Sequence, residues 1–259
     1  MPALTDSATM LRRNLRHALR YPSMTLSVAA MPILMLLLFN YVFGGAIGAG
    51  LTGRPASGDY LAYLVPGMLL LTVGSATMPV AVAICSDLTE GIVARFRTMA
   101  IARASVLTGH VLGNVIQAVA SLLIVLGVSL LLGFRTSAGI GDWLLVTAVL
   151  LLLTLGLSWF SAALGQLSKT VEGASNIVMP MTLLLPFLSS AFVPLDSMPS
   201  GIRWFAEYQP FTAVIETLRG LLAGTPIGWY GWAAVGWGVG IALLGYVWAK
   251  ALFNREPTR

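Results

Sequence analysis

The chain reads as an all-α polytopic membrane protein, a single transmembrane domain over residues 1–259. Three observations predict this class. Hydrophobic residues make up 57% and charged residues only 10% of the sequence, where soluble domains carry roughly 25% charged residues. Apolar runs of about 20 residues, the length that crosses the hydrocarbon layer as a helix, recur along the whole chain. Those runs are continuous, whereas the strands of a membrane barrel alternate over segments of about ten residues.

Residues 5–21 form an amphipathic pattern. Ala8, Leu11, Leu15, Ala18 and Leu19 share one helical face, with Arg12, Arg13, Arg16 and Arg20 opposite. Thr5, Asp6 or Ser7 can cap the start, and Pro22 ends it. The angular order of the arginines favours a helix lying in the headgroup layer over a plain positive flank to the first span. The charged region is too long for a cleaved signal peptide.

Six spans follow from the apolar runs: Ser23 to Phe43, Tyr60 to Cys85, Val106 to Leu132, Trp143 to Leu167, Ala174 to Val193 and Gly231 to Leu252. Pro66 and Pro79 are expected kinks in the second. The connections are a Gly-rich loop 44–59, a charged hairpin 87–105, short loops at 133–142 and 168–173, and a longer loop 194–230. An even number of spans places both termini on one side, and the basic residues say which. With the N-terminus cytoplasmic, that side holds 11 of the 15 Lys and Arg residues, and Arg54, Arg135, Arg203 and Arg219 remain outside. The positive-inside rule selects this orientation. The same rule accounts for the net charge of +5 and the pI of about 9.7 without nucleic acid as a partner.

Several chemistries have no residues to support them. No predicted span interior holds Lys, Arg, Asp or Glu, the groups that ion and proton work in the membrane require. His110, near the cytoplasmic start of the third span, is the nearest titrating candidate and reads as structural or interfacial. Lys169-Thr170 follows Ser168 where a phosphate-binding loop needs Gly. No zinc-protease or nucleophile-elbow motif is present, and Cys85 is the single cysteine, so neither a catalytic site, an internal disulfide nor a cysteine metal site is expected. No cofactor is expected on this chain. Gly236 and Gly240 form a Gly-x-x-x-Gly pair that could mark close packing of the last span.

The hairpin 87–105 is the most charge-dense internal segment, with Asp87, Glu90, Arg95, Arg97 and Arg103. It lies on the cytoplasmic side in this topology, where a separate motor protein can grip it. Arg95, Arg97 and Arg103 offer charge-assisted contacts to an acidic groove, and Ile92, Phe96 and Met99 offer apolar anchors. Ordinary contact with lipid headgroups is the competing use of the same arginines.

Two stretches resemble the permease subunits of type-2 ATP-binding-cassette exporters, in particular the daunorubicin-resistance branch. One runs from Glu90 and Gly91 through Arg95, Phe96 and Arg97 to Arg103, with Ser105 to Gly109 following. The other runs from Leu188 through Pro194, Met198-Pro199 and Arg203-Trp204-Phe205 to Pro210, ending near Glu216 and Arg219. Ala100 departs from the pattern, where Pro often precedes Ile.

The resemblance implies a permease working as a pair, either a homodimer or a dimer with a related permease. Two ATPase subunits below it would carry the ATP and Mg. It makes Glu90, Gly91, Arg95, Phe96, Arg97 and Arg103 the coupling element, with the N-terminal interfacial helix packed near it. It also turns the 194–230 loop into two short re-entrant helices over the outer end of a pathway, with Pro194, Arg203, Trp204, Glu216 and Arg219 as gate residues. Glu216 and Arg219, three apart, would face each other on the second of these helices. The residues alone leave open an interfacial loop stapled by Trp204 and Trp229 in the aromatic belt.

The expected protein is therefore an exporter permease of a bacterial plasma membrane. It would move a lipophilic drug, natural product or lipid outward with ATP hydrolysed by a partner, a role associated with multidrug or antibiotic resistance. Export of a polysaccharide or lipid-linked glycan is the alternative within transport. A non-transporting scaffold that recruits a soluble partner is the alternative outside it.

Overall fold

A computed structural model describes residues 22–43, 57–90 and 103–254. The expected interfacial helix, with Arg12, Arg13, Arg16 and Arg20, lies outside the described residues. So do Gly91, Arg95, Phe96 and Arg97 of the hairpin, and the side chain of Arg103.

Every described element is helical. Helix α1 (Pro22–Leu38) begins on a proline, whose missing N–H costs nothing in the first turn, and runs into a π-helical turn at Phe39–Phe43. Helix α2 (Ser57–Thr89) continues through Pro66 and Pro79. Helices α3 (Arg103–Leu131) and α4 (Ile140–Leu167) follow. The start of α4 is closed by Asp142, whose carboxylate accepts the Gly139 N–H at 2.9 Å. Thr170 caps the short α5 (Val171–Met179) by accepting from the Gly173 N–H at 3.1 Å. A π-helical turn at Pro180–Leu184 and a helical turn at Leu185–Phe187 complete that stretch. Then come α6 (Ser200–Tyr208), α7 (Pro210–Ala223) and α8 (Tyr230–Asn254). Gly224 ends α7 with φ of 65°, a left-handed turn that glycine adopts without a Cβ penalty.

Five helices are long and apolar enough to cross a membrane, and the chain is a multi-pass membrane protein. The fifth expected span, Ala174 to Val193, differs. Residues Val171–Phe187 are apolar but cover only 17 residues, about 26 Å at 1.5 Å per residue, short of a hydrocarbon layer of about 30 Å. Helix ends at Phe187 and not near Val193, because the following backbone bonds elsewhere. The Leu188 carbonyl accepts from Gln209 Nε2 at 2.6 Å, and the Ser190 carbonyl accepts from Tyr63 and Arg219.

The body is organised around α2. Of its apolar stretch 72% is buried, against 22% for α1 and for α8. It packs on α1, α3, α4, α5 and α7, while α8 lies along α4. Small residues set these approaches. A Cβ on Gly245 would sit 2.7 Å from the Phe160 nitrogen, and one on Gly165 would sit 2.5 Å from the Ala81 carbonyl oxygen. The close face of α8 is thus Gly238, Ala242 and Gly245. Gly236 and Gly240, the pair expected to mark packing, meet nothing within 4 Å among the described residues. They point about 160–200° around the helix from Gly238, since two residues advance the wheel by about 200°.

Candidate functional site

Polar chemistry in this apolar body collects at the two ends of α2. Tyr63 and Asp87 mark those ends, 24 residues apart in one helix, about 36 Å at helical rise.

At the Tyr63 end, Arg219 of α7 is the hub. Its Nη1 donates to Glu216 Oε1 at 2.5 Å, and its Nη2 donates to the carbonyls of Ser190 at 3.0 Å and Tyr63 at 3.3 Å. The guanidinium also lies 3.8 Å from the centroid of the Tyr63 ring, where the ring quadrupole attracts a cation. The Tyr63 hydroxyl donates to the same Ser190 carbonyl at 2.8 Å. One planar cation therefore joins α2, the 188–193 turn and α7, a use of its fork of donors that a lysine could not reproduce. Thr212 and Gln209 hold the same turn from the start of α7, through the Ser190 N–H at 3.2 Å and the Leu188 carbonyl. Gly67 lets the turn approach α2, since a Cβ there would lie 2.9 Å from that of Ala191. Arg219 Nε, Ser190 Oγ and Gln209 Oε1 are buried in this knot with no hydrogen-bond partner among the described residues.

The charges of Glu216 and Arg219 enter the body outside the expected spans, on a helix of the 194–230 loop. Helix α7 is buried on nearly all sides, from Phe211 to Leu222, and carries Glu216 and Arg219 inward with it at 23% and 19% side-chain exposure. The other expected gate residues stand apart. Arg203 pairs with Asp196 on the surface at 2.8 Å. Trp204 is 68% exposed. Pro194 precedes a single 3-10 turn, Leu195–Ser197. Trp204, Tyr208, Trp229 and Tyr230 form a row of rings with successive centroids 6.0, 6.0 and 4.5 Å apart. Helix α6 thus carries the exposed end of the aromatic row, and α7 is part of the core.

At the other end, His110 Nε2 donates to Asp87 Oδ2 at 2.8 Å, between α2 and α3. Glu90, just beyond α2, accepts from Ser86 Oγ at 2.6 Å, and its own N–H donates to the Ser86 carbonyl. Cys85 is buried and its thiol donates to the Ser168 carbonyl at 3.5 Å, an unreactive setting.

Sequence reasoning missed Tyr63, Ser190, Gln209 and Thr212, and it missed the pairing of Asp87 with His110. Ser190 and Gln209 lay inside the quoted family stretch. Nothing in the sequence singled out Tyr63.

A family model described as ABC-2 type transporter matches residues 6–223. The chain belongs to that family. The permease is also similar to a daunorubicin resistance ABC transporter permease protein of Streptomyces coeruleorubidus, 29% identical over 88% of this chain and 78% of the relative. A Mycobacterium tuberculosis chain named as a doxorubicin resistance ABC transporter permease is 26% identical over 76% and 69%. A chain of Cyanophora paradoxa named as a transport permease is 24% identical over 77% and 68%. The matched region includes α2 and both of its polar ends, together with α7.

Proposed function

We propose that this permease moves a lipophilic small molecule outward across a bacterial plasma membrane, driven by ATP hydrolysed on a separate subunit. The observation that carries the reading is the single helix α2 running from the root of the 87–105 hairpin to the Arg219 hub. A rigid, buried helix passes a displacement along its length without unfolding. In this mechanism the ATPase subunit docks on Glu90, Gly91, Arg95, Phe96, Arg97 and Arg103. Its ATP-driven movement shifts α2, and the shift breaks the Tyr63–Arg219–Ser190 contacts at the outer end. Release of the hub frees α7 and the 188–193 turn, which act as the gate, with Pro194, Arg203 and Trp204 on its outer rim. The apolar stretch between the two polar ends suits amphiphilic substrates better than ions or sugars.

The topology proposed with this mechanism has six crossings and cytoplasmic termini, the turn at 188–193 completing the short fifth crossing. Two permease chains and two ATPase subunits make the working unit. This chain supplies no ATPase site, and ATP and Mg belong to the partner.

The relatives' names make daunorubicin and doxorubicin the first probes. The test reconstitutes the permease with its ATPase subunit in inside-out vesicles and follows daunorubicin uptake. ATP-dependent uptake that disappears without the ATPase subunit is the expected result. Stable association with a soluble partner but no ATP-dependent movement of any lipophilic probe favours the scaffold reading instead.

A further inference from the structure

Near the hairpin α2 contributes Val80, Ile84 and Leu88, and α3 contributes Leu107 and Val111, to an apolar cluster that Trp159 and Ala162 of α4 and Ala249 of α8 also enter. Contacts of this kind are non-directional, so the two helices could slide past each other by a turn and still bury comparable area. Asp87 lies three residues after Ile84, and His110 lies three after Leu107, so both belong to the α2–α3 seam of this cluster. Their 2.8 Å contact is its polar member, at 12% side-chain exposure for His110 and 17% for Asp87. Among the ion pairs of the described residues, it alone joins two of the long helices; Arg203–Asp196 lies within the loop and Arg219–Glu216 within α7. A slip of one turn would strand a carboxylate and an imidazole against apolar side chains. A buried polar pair in an apolar seam is the best-attested way to fix helix register.

We infer that Asp87 and His110 are positioning residues for energy coupling. Their contact locks α2 to α3 in one register, so a displacement at the hairpin moves both helices as one body. Without it, α3 slides and does not follow the displacement that α2 carries to the Arg219 hub, so the push no longer moves the bundle as one body. The end of α2 is suited to this task. Thr89 Oγ1 donates back to the Cys85 carbonyl at 3.0 Å, the Glu90 N–H donates to the Ser86 carbonyl at 2.9 Å, and Cys85 ties the turn to Ser168. Helical order therefore extends to the root of the hairpin. The inference rests on the hairpin being the docking element, but it concerns how the push is passed on.

The deciding variant is Asp87→Leu with His110→Leu. Well-packed apolar replacements of a buried ion pair commonly fold as well as the original, so this double variant keeps the seam and removes only its register. In vesicles holding the complete permease–ATPase complex, daunorubicin transported per ATP hydrolysed should fall about tenfold, the scale of an ordinary coupling free energy. Folded yield and ATPase association should stay near wild type. His110→Gln, whose amide can still donate to Asp87, should recover most of the transport. Normal transport per ATP in the double-leucine variant overturns the inference, and so does failure of that variant to fold, which would make the pair structural. A third variant separates this from the docking reading. Arg95→Ala, Phe96→Ala and Arg97→Ala together should abolish substrate-stimulated ATPase. If they do not, docking at the hairpin fails; if they do while the leucine pair transports normally, only the register argument fails.

Discussion

The Arg219 guanidinium stacks 3.8 Å over the Tyr63 ring while bonding the carbonyl of that same residue at 3.3 Å. Residues 156 positions apart are thus tied through both ring and backbone. The contact is costly to build, because a cation is held mostly out of water, and it is costly to break for the same reason.

Removing the cation leaves the Glu216 carboxylate without this donor and takes one donor each from the Tyr63 and Ser190 carbonyls, the second of which keeps the Tyr63 hydroxyl. Truncating one partner of a buried pair costs about 3–5 kcal/mol, and residual exposure places Arg219→Ala near 3 kcal/mol. Arg219→Lys keeps the charge but loses the fork, so it should recover only part of the loss. Thermal unfolding in detergent is the measurement, with Glu216→Gln alongside. A melting temperature for Arg219→Ala equal to that of wild type would mean the hub holds nothing together.

Close helix approach yields a sharper comparison. Gly165→Ala puts a methyl 2.5 Å from the Ala81 carbonyl oxygen, so α2 and α4 must separate. Overpacking of this kind costs about 1–3 kcal/mol. Gly236→Ala on α8 meets open space and gains helix propensity, so it should be neutral or slightly stabilising. The pair of melting temperatures checks the assignment, and reversal of their order would contradict the packing described for α2 and α4.

Much of the fold could be read from run length alone. Prolines, glycines and charges punctuate the chain so clearly that α1, α2, α3, α4 and α8 fall within a few residues of the expected spans. The fifth stretch misled because Leu188 to Val193 is as apolar as the helix before it. What stops that helix is tertiary: Gln209 and Arg219 take over carbonyls that a local reading assigns to the next turn. The Glu216–Arg219 spacing made their contact legible, since three residues bring two side chains together on a helix. Tyr63 has Tyr60 stacked three residues before it, but nothing local to it points to Arg219. Asp87 and His110 were visible as polar residues, but 23 positions separate them, and only the packing of α2 on α3 brings them into contact.

The aromatic row defines where α6 sits. Trp204 and Trp229 flank Tyr208 with their rings largely exposed, the arrangement that places amphipathic rings at headgroup level. In a background with Trp143, Trp159, Trp232, Trp237 and Trp248 replaced by Phe, fluorescence from Trp204 and Trp229 should be quenched strongly by lipids labelled near the headgroup and weakly by lipids labelled deep in the chain. Stronger quenching from the deep label would place α6 inside the hydrocarbon layer and remove its role as an interfacial anchor.

Topology is tested with the one native cysteine. Cys85 is fully buried and its thiol is bonded to Ser168, so a maleimide should modify it only after denaturation. This makes Cys85→Ala a mild change and a clean background for new sites. Thr98→Cys in the hairpin should then react in inside-out vesicles and stay protected in intact cells. Ser197→Cys, in the exposed turn before α6 where the serine hydroxyl donates to the Pro194 carbonyl, should show the opposite pattern. The two sites are separated by α3, α4 and the short stretch Val171–Phe187, so opposite labelling requires that stretch to complete a third crossing. If both sites label from the same side, the short stretch does not cross, and the six-crossing arrangement fails along with the assignment of Arg219 to the outer gate.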